Sequence, residues 1–184
     1  SVANETLEAS YHIIGGKTGS SYEDEGQSDA INNLVMIASD SRGRAVVGSV
    51  VEANGMTNRF NAMKSLLDNA FAKLDDPSAT PAAITTAECA IAWALPPYSG
   101  SMCEGYDLPV LYSQNPTISH GTASTIKVLT AITALDILTN EDMQTWYTMT
   151  ADDIIGGSGA IFSAGDKVKI IDLLYAMMLP SSNM

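Results

Sequence analysis

The sequence is poor in cysteine, histidine and positive charge. Its 184 residues include 2 Cys, 2 His and 9 Lys+Arg against 21 Asp+Glu, for a formal net charge of −12. Cys89 and Cys103 suit no zinc centre by their spacing, because such a centre needs further Cys or His ligands nearby. His12 and His120 stand outside any motif. So negative a surface excludes a general affinity for nucleic acid or anionic membrane, both of which would repel it. No apolar run reaches the roughly 18 residues a membrane-spanning helix requires. No basic segment leads into an apolar one, so a secretion signal is expected to have been removed or left out. A disordered acidic tail is excluded as well, since 46% of the residues are hydrophobic and only 16% charged. The length fits one domain, or one and a small extra, and is enough to bury a real core.

What is present is turn chemistry alternating with apolar strands. Tyr11 to Ser20 starts with β-favouring residues and runs into Gly15-Gly16-Lys17-Thr18-Gly19. Asn32 to Ser39 and Ala45 to Val51 flank the polar turn Ser41-Arg42-Gly43-Arg44, which predicts an antiparallel hairpin. Thr57 offers an N-cap, and Phe60, Met63, Leu67 and Phe71 recur at helical spacing, so this helix should lay its stripe on the sheet. Asp75 to Ala83 has linker composition and is the one good internal boundary. Thr85 to Leu95 and Pro109 to Ser113 read as further strands around a Pro/Gly/Ser-rich excursion from Pro96 to Gly105. Cys89 and Cys103 could close that excursion with a disulfide in an exported protein, or remain two thiols. A helix apolar on most of its circumference spans Ser124 to Leu138, and Val128, Leu129, Ile132, Leu135 and Leu138 are expected to be buried. A last helix covers Ile170 to Leu179. The expected class is α/β in the α+β sense: an antiparallel sheet of about five strands flanked by helices.

Three short motifs carry chemistry. Ser124-Thr125-Ile126-Lys127 puts a hydroxyl and an amine three residues apart at a helix start, where both share one face. A serine needs a base to take its proton, and a lysine serves only if its pKa is lowered. Lys17-Thr18-Gly19 ends a strand, with a lysine and a hydroxyl able to hold a carboxylate and a glycine that admits another backbone. Ser181-Ser182-Asn183 follows a helix and a proline. Singly, the last two read as an exposed turn and a polar chain end. Together, Ser-x-x-Lys, Ser-x-Asn and Lys-Thr-Gly form the signature of penicillin-recognising serine hydrolases.

The flanks narrow the resemblance. Ile13-Ile14-Gly15-Gly16-Lys17-Thr18-Gly19 resembles the third-motif strand of serine-type D-alanyl-D-alanine carboxypeptidases, the penicillin-binding proteins with a β-lactamase-like fold. Ala123-Ser124-Thr125-Ile126-Lys127-Val128-Leu129 is similar to their nucleophile helix, and Gly156-Gly157-Ser158 through Ser181-Ser182-Asn183 to their approach to the second motif. The order differs from the family's, because Lys-Thr-Gly comes first and Ser-x-Asn last. The resemblance therefore implies a circular permutation, engineered or natural. Residues 1–184 would be one permuted domain, with 1–72 holding the third-motif strand, hairpin and C-terminal-type helix. Residues 73–84 would join the family's old termini, and 85–184 would hold the N-terminal-type strands, the nucleophile helix and the second motif. Most of the family's helical lobe has no counterpart.

The activity implied is acyl transfer on peptidoglycan stem peptides, with β-lactams as acylating analogues. Ser124 would be the nucleophile and Lys127 its base, with Ser181 and Asn183 as proton relay and amide holder. Lys17, Thr18 and Gly19 would bind the substrate carboxylate, and the backbone N–H groups of Ser124 and Ser20 would form the oxyanion hole. No metal or organic cofactor is implied; the chain is expected to be a monomer from an extracytoplasmic parent. Without the lobe, and with Asn183 beside the chain end, turnover is expected to be impaired. The alternatives are a β-lactamase and a non-catalytic wall-binding or scaffold domain.

Overall fold

Alternation of apolar residues along Ala30–Ser39 and Ala45–Ala53 gives each strand one face to bury. The computed structural model describes residues 4–22, 30–96 and 107–184. In it the chain divides into two compact units, Val2–Thr125 and Ile126–Met184.

The first unit begins with a short helix α1 (Glu5–Glu8), capped by the Asn4 side chain, which accepts from the Thr6 N–H at 3.1 Å. Strands β1 (His12–Tyr22), β2 (Ala30–Ser39) and β3 (Ala45–Ala53) follow, then helix α2 (Asn58–Asp75), then β4 (Ala87–Leu95) and β5 (Val110–Gln114). The five strands form one sheet in the order β1-β2-β3-β4-β5, and every neighbouring pair is antiparallel. The five-stranded antiparallel sheet packed against helices is the α+β class read from the sequence.

The β2–β3 turn is tied by Asp40, which accepts from the Arg42 and Arg44 N–H groups at 3.0 and 2.9 Å. Helix α2 buries Ala62, Met63, Leu66, Leu67, Ala70 and Phe71 against Leu34, Met36, Val46 and Val50. Thr57 stands at the N-cap position without a capping hydrogen bond from its side chain. The segment of linker composition lies inside the first unit. Asn69 fixes it by donating to Ala82 O at 2.9 Å and accepting from Ala82 N at 2.9 Å.

Pleating then decides what the opposite face carries. Leu34 and Val50 are paired and face α2, so the next pair outward, beginning with Asn33, points away from it. Gly19 pairs with Asn33 and Lys17 with Val35, while Cys89 pairs with Val51. Lys17, Gly19, Asn33 and Cys89 therefore share the face away from α2.

The second unit contains α3 (Lys127–Ile137), α4 (Asn140–Gln144), a two-stranded ribbon of β6 (Trp146–Thr148) and β7 (Lys167–Lys169), and α5 (Ile170–Met178). Thr139 and Asp142 cap α4 reciprocally, with Thr139 N donating to Asp142 Oδ2 at 2.9 Å and Asp142 N to Thr139 Oγ1 at 3.2 Å. The helix expected to be central is not buried. No residue of α3 is buried, and Leu129, Ile132 and Leu135 are 59%, 57% and 56% exposed. Its periodicity was that of a buried helix, but among the described residues nothing covers this face.

Candidate active site

Each unit gathers part of the predicted constellation. In the second, Lys127 opens α3 and meets the segment after α5. Its Nζ donates to Ser181 O at 2.7 Å, to Ser181 Oγ at 3.2 Å and to Asn183 Oδ1 at 2.7 Å. Burial lowers the Lys127 pKa from the ordinary lysine value, which is the direction a general base needs.

The segment holding Ser181 is locked from behind. Ser182 is 1% exposed; its N–H donates to Ala176 O and its hydroxyl to Ala160 O, both at 2.9 Å. Ser181 takes a left-handed backbone with φ 65°, an uncommon conformation for a side-chain-bearing residue. Gly159 makes this possible. At its φ of 106° a side chain would be strained, and a Cβ would collide with the Ser182 backbone.

In the first unit, the third motif lies on β1 against the turn that carries Ser124. Gly19 approaches so closely that a Cβ there would stand 3.0 Å from Ser124 N, Thr122 O and Thr125 N. Lys17 is buried and donates to Thr18 O at 2.9 Å. Ser124 sits half-buried in a single 3-10 turn, Ala123–Ile126, where a regular α-helix was expected to begin.

Two residues outside the three motifs support this turn and strand. Buried Asn33 donates through Nδ2 to Gly121 O at 2.8 Å and Thr122 O at 3.2 Å, and accepts from Glu52 N at 2.9 Å. Arg59 donates through Nη1 to Ser20 Oγ at 2.9 Å, while its Nε is buried without a partner among the described residues. Asn33 could have been suspected from the sequence, because two asparagines precede the apolar run of β2. Nothing local marks Arg59.

The two residues set aside as isolated in the sequence are also placed. His120 Nδ1 lies 2.8 Å from Glu52 Oε1, and His120 Nε2 lies 3.0 Å from Cys89 Sγ. Cys89 is a free, buried thiol whose pKa is raised by burial and by the carboxylates of Glu88 and Glu52, so it stays protonated. Cys103, the other half of the disulfide considered above, lies outside the described residues. His12 is exposed on β1.

The half-buried Ser124 turn belongs to the first unit, and the lysine held by the Ser-x-Asn segment to the second. Comparison with known families finds a match over part of the chain. Residues 107–184 match the model of the beta-lactamase enzyme family. No curated protein and no solved structure matches the chain.

Proposed function

We propose that the chain is a penicillin-recognising serine enzyme of the D-alanyl-D-alanine carboxypeptidase type, in circularly permuted order. The observation that carries this is the convergence of Lys127 on Ser181 and Asn183, two motif members on the far side of α5 from it in sequence. The contact of Gly19 with the Ser124 turn supports the same reading from the third motif.

In this mechanism Ser124 Oγ attacks the carbonyl of the terminal peptide bond, or of a β-lactam, as its proton passes to the neutral Lys127 amine. The tetrahedral oxyanion accepts from the N–H groups of Ser124 and Ser20. Ser181 passes the proton on to the leaving amine, whose C–N bond breaks to leave an acyl-Ser124 ester. Water then cleaves that ester by the reverse proton path. Asn183 holds the substrate amide, and Lys17 with Thr18 holds the terminal carboxylate. On this reading the substrate is a peptidoglycan stem peptide, met outside the cytoplasmic membrane.

Hydrolysis of β-lactams is the second reading, favoured by the beta-lactamase family match over 107–184. Intact mass measurement after incubation with a penicillin separates the two. A stable adduct absent from Ser124→Ala supports the carboxypeptidase reading, and drug turnover without an adduct supports a β-lactamase. A chain that does neither, with or without a D-Ala-D-Ala peptide, overturns both.

A further inference from the structure

We propose that Glu52, Glu88 and His120 form a binding site for a zinc-class divalent cation, which ties strands β3 and β4 to the segment leading into the Ser124 turn. The site is distinct from the three motifs and does not depend on the acyl-transfer reading.

Strand register brings the two carboxylates together. Val51 pairs with Cys89 and Ala53 with Ala87, so Glu52 and Glu88 oppose each other across the β3–β4 pair. Like charges in that position oppose pairing unless a cation compensates them. His120 faces Glu52, but among the described residues no cationic side chain pairs with Glu88. Glu52 also takes a left-handed backbone, φ 52°, which breaks the strand's alternation where its carboxylate meets His120.

One ligand atom from each of Glu52, Glu88 and His120 already lies within 4.8 Å of the others. Ligands of a tetrahedral zinc with bonds of about 2.0–2.2 Å stand roughly 3.3–3.6 Å apart, so small side-chain rotations close the site. The Glu88 side chain is exposed and free to make that adjustment. The imidazole is already oriented on both sides: Nδ1 faces Glu52 and Nε2 faces Cys89 Sγ. A metal-bound histidine is held through its second ring nitrogen, most often by a carboxylate, carbonyl or water, and here Cys89 Sγ stands in that place. Cys89 is thus a positioning residue for the ring.

The donor chemistry selects the ion. One imidazole with two carboxylates suits zinc and its neighbours, whereas calcium and magnesium prefer oxygen alone. A cavity of about 240 Å³ lined by Cys89, His120, Asn33 and Thr122 adjoins the imidazole. The bound ion would fasten the residues just before Ser124 to the sheet, beside the anchor that Asn33 provides.

Calorimetric titration of the metal-free chain with zinc, combined with imidazole NMR, tests the site. The chain has only 2 histidines, so His12 serves as an internal reference. The expected result is saturation at one zinc per chain, with the His120 ring signals shifting, those of His12 unmoved and the Tm rising. His120→Ala and Glu52→Gln should each weaken binding at least about tenfold, and Cys89→Ser about 10–100-fold with the stoichiometry kept. Glu88→Gln changes an exposed side chain, so its loss of affinity cannot be ascribed to misfolding. No saturable uptake, shifts confined to His12, or undiminished binding by Glu88→Gln would overturn the proposal.

Discussion

Lys127 Nζ lies 2.7 Å from both the Ser181 carbonyl oxygen and Asn183 Oδ1, so the amine of one motif is held by the backbone and amide of another. Ser181 O, Ser181 Oγ and Asn183 Oδ1 all accept from that nitrogen. They favour the ammonium, while burial favours the neutral amine and lowers the pKa. The neutral fraction, and with it the rate of acylation by a penicillin, should rise with pH through an apparent pKa below that of a free lysine. Stopped-flow acylation across pH reads this directly. Lys127→Arg, which cannot lose its proton, should acylate at least about 100-fold more slowly. Stability follows the same sign. Between the folded and free-lysine pKa the unfolded chain binds the extra proton, so this group's contribution rises with pH through that window. A flat acylation profile would remove Lys127 from the base role.

Gly159 and Gly156 lie near each other in the same stretch but should differ sharply on substitution. A Cβ at Gly156 meets nothing within 4 Å, whereas at Gly159 it collides with Ser182 on a backbone of φ 106°. Gly159→Ala should destabilise the second unit by about 1–3 kcal/mol or force the Ser181–Asn183 segment away from Lys127. Thermal unfolding and the acylation rate of the two variants check this; Gly156→Ala should match the parent in both.

Asn33 joins three backbone groups of distant segments with one buried side chain. Asn33→Ala leaves the Glu52 N–H and the carbonyls of Gly121 and Thr122 without that partner. Gly121 and Thr122 are exposed, so water can replace Asn33 at their carbonyls, and the lost bonds together cost about 1–3 kcal/mol. Urea unfolding should show a loss within that range. Because the carbonyls belong to the residues just before Ser124, acylation should slow as well, even at concentrations of urea that leave the sheet folded.

The sheet was legible because its strands announce themselves by apolar runs between turns, and their observed limits differ from the expected ones by only a few residues. The ribbon of β6 and β7 was not, since three-residue strands carry too short a pattern to read. The motif residues are named by the resemblance they carry together, since a three- or four-residue spacing alone occurs too often by chance to assign a role. The Glu52–His120–Cys89 contacts could not be read from the sequence, because they depend on strand register and on a left-handed glutamate that its residue type does not foretell. Periodicity identified the apolar character of α3 correctly but said nothing of whether a neighbour exists to cover it.

That difference gives a direct comparison between two leucines on two helices. Leu66 of α2 is fully buried between the helix and the sheet, and Leu129 of α3 is 59% exposed. Both sit in apolar helical patterns, so a sequence-based expectation would assign them similar costs. Leu66→Ala removes buried methyl groups and leaves a cavity in close-packed surroundings, costing about 2–5 kcal/mol. Leu129→Ala removes surface that water already reaches, and should change stability by no more than about 0.5 kcal/mol. Paired Leu129→Glu and Ile132→Lys substitutions should likewise leave unfolding unchanged while reducing self-association, because a large exposed apolar patch favours aggregation. Urea unfolding and light scattering measure the two effects separately. If Leu129→Ala costs as much as Leu66→Ala, α3 is covered in solution, and its apolar face belongs to a core after all.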